Sequence, residues 1–324
     1  MYSIGTLQEK IKKALKSENF DFKPSELYEP ISYTLSLGGK RLRPVLTLMA
    51  CDFFEGKIEN AIYPAIGIEI FHNFTLLHDD IMDKAPIRRG KETVYKKWDS
   101  NIAILSGDVM FALAYKYITK ADKKILPEVL SVFNQTAIQV CEGQQYDMNF
   151  EAAQNVTIQD YLKMIRLKTA VLLGASLKIG AIIAEAGNHE KEEIYNFGVT
   201  IGLAFQLKDD LLDVFGNEQK FGKKTGNDII TNKKTYLYLK AFELANGETL
   251  QLLKKYFGDI QVENNKKIKI IKEIYEQLKV KEHTEKQIEH FYSKALKNLE
   301  TINVKDERKI VLKAFAEKLM VRDY

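Results

Sequence analysis

Proline is scarce in this 324-residue sequence, with six in all. Chains built from many short strands need turn residues every few positions, so the scarcity favours long helices. Linkers are lacking too. No Pro-, Gly- or Ser-rich stretch, repeat or low-complexity block divides the chain, and one domain over 1–324 is expected. Cysteine is nearly absent: Cys51 and Cys141 lack CxxC spacing and fall in apolar-periodic segments, so buried free thiols in a reducing compartment are expected. The five histidines include no His-x-x-x-His pair, which argues against a zinc centre. No run reaches the ~18 uninterrupted apolar residues of a membrane span, and the first residues lack the basic-then-apolar order of a signal peptide. A cytoplasmic protein without a membrane span is expected. A dominant charge sign is also missing, since 48 basic against 44 acidic residues leave a net +4, too little to imply a nucleic-acid partner.

What the chain has in quantity is helical periodicity. Apolar residues recur every three or four positions, as in Leu7, Ile11 and Leu15; Ile62, Ile66, Ile70 and Phe74; Ile102, Leu105, Val109 and Leu113; and Tyr161, Ile165, Leu172 and Leu177. Breaks fall at Gly38-Gly39, Glu55-Gly56, Pro86 to Gly90, near Asn188, from Gly216 to Asn232, and near Gly258. The pattern predicts an all-α bundle of about ten or more helices. Lys254, Lys255, Lys266, Lys267, Lys269, Lys294 and Lys297 in the last third read as a solvated helical face, because glutamates interleave with them.

Two aspartate triads stand out. Asp79, Asp80 and Asp83 follow an apolar helical pattern, and Asp209, Asp210 and Asp213 repeat the same i, i+1, i+4 spacing. On a helix Asp79 and Asp83 lie one turn apart, as do Asp209 and Asp213, so each triad offers two oxygen ligands on one face. Clustered carboxylates repel, and oxygen-only ligation selects a hard cation such as Mg²⁺ that shares its remaining positions with water and phosphate. An EF-hand is excluded because the aspartates do not alternate through a Gly-containing loop.

Basic groups surround the triads in the sequence. Gly38-Gly39-Lys40-Arg41-Leu42-Arg43-Pro44 precedes the first and Arg88-Arg89-Gly90 follows it; Lys223-Lys224-Thr225 and Lys233-Lys234-Thr235 follow the second, and Lys168-Thr169 interrupts an apolar helix. Arginine beside glycine suits capture of phosphate oxygens. The Gly-x-x-x-x-Gly-Lys-Ser/Thr loop is missing, so two small diphosphates fit better than a nucleotide.

In these residues the chain resembles the trans-isoprenyl diphosphate synthase family, the relatives of farnesyl and geranylgeranyl diphosphate synthases. The matching motifs run in order through a core of about 30–240: the Gly-Gly-Lys-Arg-Leu-Arg-Pro loop, Glu69-x-x-His72, the first triad, Arg88-Arg89-Gly90, Gly143-Gln144-x-x-Asp147, Lys168-Thr169, Phe205-Gln206 with the second triad, and the lysine loops. Helices over about 245–324 add only periodicity. Asn232 departs from the glycine common before that lysine in the family.

The resemblance implies an isoprenoid-synthase bundle around a central deep cavity, a homodimer, and three Mg²⁺ ions, for which Mn²⁺ substitutes, held by Asp79, Asp83 and Asp209. It places isopentenyl diphosphate at Lys40, Arg43, His72 and Arg89, and the allylic diphosphate (dimethylallyl, geranyl or farnesyl) at Arg88, Lys168, Lys223 and Lys233. Asp80 and Asp210 complete the catalytic set, and Thr169 and Gln206 either steady the carbocation or serve helix packing and polar satisfaction. The implied reaction is head-to-tail condensation with release of diphosphate. Ideal-helix arithmetic puts Thr75 on the carboxylate face of the first triad's helix, with Phe71 at its flank. The resemblance adds Phe74, five residues before the triad, as the residue that limits product length, so a C20 product is expected, with C15 as the alternative. A terpene cyclase or head-to-head synthase needs no isopentenyl pocket, and a non-catalytic partner subunit needs no complete triads.

Overall fold

The computed structural model describes residues 1–216, 225–258 and 262–321. Local sequence sets where several helices begin. Ser3 accepts a hydrogen bond from the Thr6 backbone to open α1 (Ile4–Ser17), and Thr157 and Asp160 form a reciprocal capping box at α8 (Ile158–Ile165). Asp99 does the same for α6 (Ser100–Ile118) by accepting from the Ile102 backbone. Between the first and last of these lie α2 (Ser25–Ser36), α3 (Leu42–Phe53), α4 (Ile58–Met82), α5 (Val94–Lys97) and α7 (Leu126–Ala152). After α8 come α9 (Val171–Ile183), α10 (Asn188–Phe215), α11 (Asn227–Ile230), α12 (Tyr236–Leu244), α13 (Gly247–Phe257), α14 (Asn264–Gln277), α15 (Val280–Thr301) and α16 (Asp306–Met320). The fold is all-α, as the periodicity implies. Among the described residues no helix is long and apolar enough to cross a membrane.

One departure is a two-residue-per-strand hairpin, β1 (Ile87–Arg88) against β2 (Lys91–Glu92), inside the segment read as a plain break. Arg89 at φ 54° and Gly90 at φ 73° join the strands. Two successive positive φ angles are what a tight hairpin connection requires, so the Arg-Arg-Gly sequence encodes this turn as well as its charge.

The helices gather into two compact units. One comprises Met1–Asn134 and Ala175–Ile194, the other Gln135–Gly174 and Tyr195–Tyr324. In the first, α4 packs closely on α6 because small residues meet there: a Cβ added at Gly67 would lie 2.8 Å from the Ala114 carbonyl oxygen. The buried face of α6 is Ala103, Ser106, Gly107, Met110 and Ala114. The apolar stripe that periodicity singles out is not this face; Leu105 is 57% exposed and Ile104 43%. Hydrophobicity alone misassigns the inward side because the close approach of α4 selects for size, not for apolarity.

Two further expectations change. Cys51 is buried but Cys141 is exposed, since Ala137 and Val140 take the inward positions of that stretch of α7. In the lysine-rich last third the other lysines named above are exposed, whereas Lys267 is buried.

Candidate functional site

The first triad ends α4. Asp83 is its C-cap, with its N–H bonded to the Asp79 carbonyl at 2.8 Å. Carboxylates here oppose the helix dipole, and Arg88 from the hairpin answers them. Its Nε donates to Asp80 Oδ1 at 2.7 Å and its Nη2 to Asp79 Oδ2 at 3.2 Å. Asp80 is buried, and that desolvation pushes its pKa up to about 6 although Arg88 pulls the other way. The three aspartates are therefore unequal. Asp80 is an internal anchor for Arg88, while Asp79 and Asp83 stay more accessible.

The basic loop before α3 turns on Gly38 (φ 77°), Gly39 (φ 121°) and Arg41 (φ 48°). Arg89 Nη1 donates to the Gly38 carbonyl, and a Cβ at Gly39 would meet the Arg89 guanidinium carbon at 3.0 Å. Glycine is needed there for both conformation and space. Arg43 Nη1 lies 3.0 Å from His72 Nε2. A guanidinium has only donors, so this nitrogen of His72 accepts and the imidazole is neutral. Burial, reinforced by Arg43 and then by Arg89, Arg88 and Arg41, holds the His72 pKa well below its ordinary value. Lys40 is exposed, and its carbonyl accepts from Gln8 Nε2 at 3.0 Å.

Arg41 carried no role in the sequence reading, yet it braces this loop. Its guanidinium donates to buried Glu69 and to the Leu35 carbonyl, and Asn73 Nδ2 reaches the Glu69 carboxylate at 2.9 Å. The available signal was a glutamate inside an apolar helix, since a buried carboxylate requires a partner.

The second unit holds the other triad, near the end of α10. Asp210 is buried and accepts from Tyr161 Oη and, at 3.1 Å, from Gln206 Nε2; Gln206 in turn accepts from Thr169 Oγ1 at 3.2 Å. Burial and then the nearby Asp228 charge push the Asp210 pKa up. Asp213 Oδ2 accepts from the Asp228 backbone at 2.9 Å. Asp209 stays half-buried beside these two braced neighbours.

Lys168 sits in a π-helical turn, Arg166–Ala170, that follows α8 directly. Such turns add a residue to the helix and redirect side chains. Its Nζ donates to Asp147 Oδ2 at 2.6 Å, and Lys233 Nζ lies 4.0 Å from the same oxygen. Burial works to raise the Asp147 pKa, but the Lys233 and Lys168 charges outweigh it and hold it low. Gly143 on α7 makes the arrangement possible, because a Cβ there would fall 2.2 Å from the Lys168 backbone nitrogen. Lys223 lies outside the described residues.

In the first unit the rings next to the triad form one aromatic cluster. Phe71 is fully buried and meets Phe74, Phe111 and Phe133 at centroid distances of 5.7, 6.0 and 5.3 Å. Phe74 is half-buried and touches Phe111 at 5.2 Å and His78 at 4.8 Å. Thr75 Oγ1 donates to the His72 carbonyl at 2.8 Å. Phe111, Tyr115 and Phe133, all in this cluster, escaped the sequence reading because nothing in their spacing links them to α4.

Among the described residues no three His, Cys, Asp or Glu side chains converge as a metal-ligating group. The donors at the two helix ends are carboxylate oxygens, the set suited to Mg²⁺, whose other positions go to water and phosphate.

The sequence matches the polyprenyl synthetase family over 24–278. It is 35% identical to a geranylgeranyl pyrophosphate synthase of Geoglobus acetivorans over 98% of this chain and 96% of that protein. It is 40% identical to a geranylgeranyl diphosphate synthase of Sulfolobus acidocaldarius over 72% of each. A crystal structure of a geranylgeranyl pyrophosphate synthase superposes with a TM-score of 0.95 at 45% identity, covering 100% of both chains. The chain belongs to the polyprenyl synthetase family and is a prenyltransferase, a trans-prenyl diphosphate synthase.

Proposed function

We propose that the chain, acting as one domain over 1–324, joins isopentenyl diphosphate head-to-tail to dimethylallyl, geranyl and then farnesyl diphosphate, and stops at the C20 product. A C15 product is the alternative reading. One observation carries the proposal: each unit holds an aspartate helix end together with cationic side chains, Arg88 paired with Asp79 and Asp80 in the first, and in the second Lys168 and Lys233 gathered on Asp147, with the Lys233 charge also acting on Asp210. The relatives' names support C20 in particular.

Asp79, Asp83 and Asp209 would hold Mg²⁺, which supplies neutralising charge to the departing diphosphate. Arg88, Lys168, Lys223 and Lys233 take its remaining negative charge. The C1–O bond of the allylic substrate breaks with its electron pair leaving on diphosphate, and the double bond of isopentenyl diphosphate attacks C1. Lys40, Arg43, Arg89 and neutral His72 hold that second substrate in place, so positioning carries much of the rate. Loss of a proton, taken by the released diphosphate, completes each cycle without a side-chain base. Thr169 donates to Gln206, and Gln206 donates to Asp210, which suits the pair to orient the triad more than to face the cation.

Steady-state kinetics with both substrates varied tests the division. Arg89→Ala or Lys40→Ala is expected to raise KM for isopentenyl diphosphate about tenfold or more, whereas Lys223→Ala or Lys233→Ala acts on the allylic KM and on kcat. Equal effects of all four on both substrates would refute the assignment.

The exposed apolar residues Ile104 and Leu105 of α6 favour a homodimer closed over that face, which light scattering of the purified protein would detect. A reducing, cytoplasmic setting suits the two free thiols.

A further inference from the structure

Lys233 stands in the short connection between α11, which ends at Ile230, and α12, which begins at Tyr236. Its backbone N–H donates to the Asp228 carbonyl at 2.9 Å, and its own carbonyl accepts from the Thr235 N–H at 2.9 Å. Neither bond directs the side chain. The residues on either side do more. Asn232 adopts φ 57°, the left-handed region that glycine enters freely and asparagine tolerates best among residues with a side chain. Lys234 Nζ donates to the carbonyls of Phe150, Glu151 and Ala153 at 2.5, 3.2 and 2.6 Å, capping the C-terminal end of α7.

The group that grips Asn232 comes from α14. Lys267 is 7% exposed, and its Nζ donates to Asn232 Oδ1. The ammonium also lies 5.3 Å from the centre of the Phe257 ring. A buried ammonium without an acceptor is costly, so this pairing is a strong constraint on both partners. The next residue of α14 packs at the start of α11, since a Cβ at its N-cap Gly226 would meet Ile268 Cδ1 at 2.8 Å. A glycine at 232 would make the turn and keep the backbone bond to the Ile229 carbonyl, but would offer Lys267 no side-chain acceptor.

From these contacts we infer that Lys267 is a positioning residue for the condensation: by holding the Asn232 side chain it fixes the backbone from which Lys233 offers its ammonium to the allylic diphosphate. The C-terminal helices thereby act on catalysis through one buried lysine. The inference rests on the role proposed above for Lys233.

Steady-state kinetics and thermal melts of the full-length enzyme with Mg²⁺ test it. Lys267→Met and Asn232→Ala are each expected to raise the allylic KM or lower kcat about tenfold while KM for isopentenyl diphosphate stays within about twofold. Asn232→Asp keeps an acceptor for Lys267 and retains activity near wild type. The double variant Lys267→Met/Asn232→Ala is no worse than either single one, because both break the same contact. Lys309→Met is the control: Lys309 is equally buried and donates to the Glu300 carbonyl at 2.9 Å, so its loss lowers Tm without separating the two KM values. Asn232 is exposed, so even if Lys267→Met fails to fold the contact is read by Asn232→Gly, which removes the acceptor without straining the positive-φ turn and is expected to match Asn232→Ala. A Lys267→Met or Asn232→Ala enzyme with wild-type allylic kinetics, beside an impaired Lys233→Ala, overturns the inference alone. A Lys233→Ala enzyme with wild-type allylic kinetics overturns the reading of Lys233 and the inference with it.

Discussion

Asp79→Ala and Asp209→Ala are each expected to lower kcat at least about a hundredfold while the protein stays folded, and excess chelator is expected to abolish turnover of the wild type. The reason lies in how each triad divides its work. Asp79 accepts from Arg88 at 3.2 Å, and Arg88 retains its shorter bond to Asp80 when that contact is cut. Asp209 lies beside Asp210, which is the member bound to Tyr161 and Gln206. Removing either outer carboxylate therefore takes away a proposed metal ligand at a less buried position than Asp80 or Asp210. The middle positions should behave in the opposite sense. Asp80→Ala leaves Arg88 Nε without its acceptor, and Asp210→Ala strands a buried tyrosine hydroxyl and an amide, at about 1–3 kcal/mol for each unsatisfied group. Comparing kcat with Tm for the four variants checks the division. Full turnover by Asp79→Ala, or in chelator, would refute the metal assignment.

The second large effect concerns product length. Phe74→Ala is expected to shift the product to longer chains, because it removes a half-buried ring that touches Phe71, Phe111 and His78 next to the first triad. Phe71→Ala should lengthen the product as well, but its ring is fully buried, and its removal costs about 3–5 kcal/mol of stability. The half-buried position is thus the cleaner probe. On an ideal helix Phe74 points away from the carboxylate face. The structure joins it to the same cluster as Phe71 through Phe111, so the two rings act as one layer. Unchanged product from both variants would mean that this layer is plain core.

The parts legible in the sequence are those carried by local pattern. Periodicity gives the helices, and the breaks at Gly38-Gly39 and Asn188 fall where α2 gives way to α3 and α10 begins. Triad spacing marks both aspartate helix ends. What the sequence hides depends on neighbours distant along the chain. The inward face of α6 is chosen by the close approach of α4 at Gly67, the π turn at Lys168 is housed by Gly143, and Arg41 finds Glu69 across 28 positions. Lys267 is the sharpest case. It has the same composition and spacing as its exposed neighbours and differs from them only in what it meets when folded.

The most direct measurement is chromatography of the products formed by the wild-type enzyme from dimethylallyl and isopentenyl diphosphates with Mg²⁺. The expected result is a C20 diphosphate as the end product, passing through C10 and C15. Chains of roughly thirty or more carbons would contradict the account of Phe71 and Phe74, and no condensation product at all would contradict the assigned reaction.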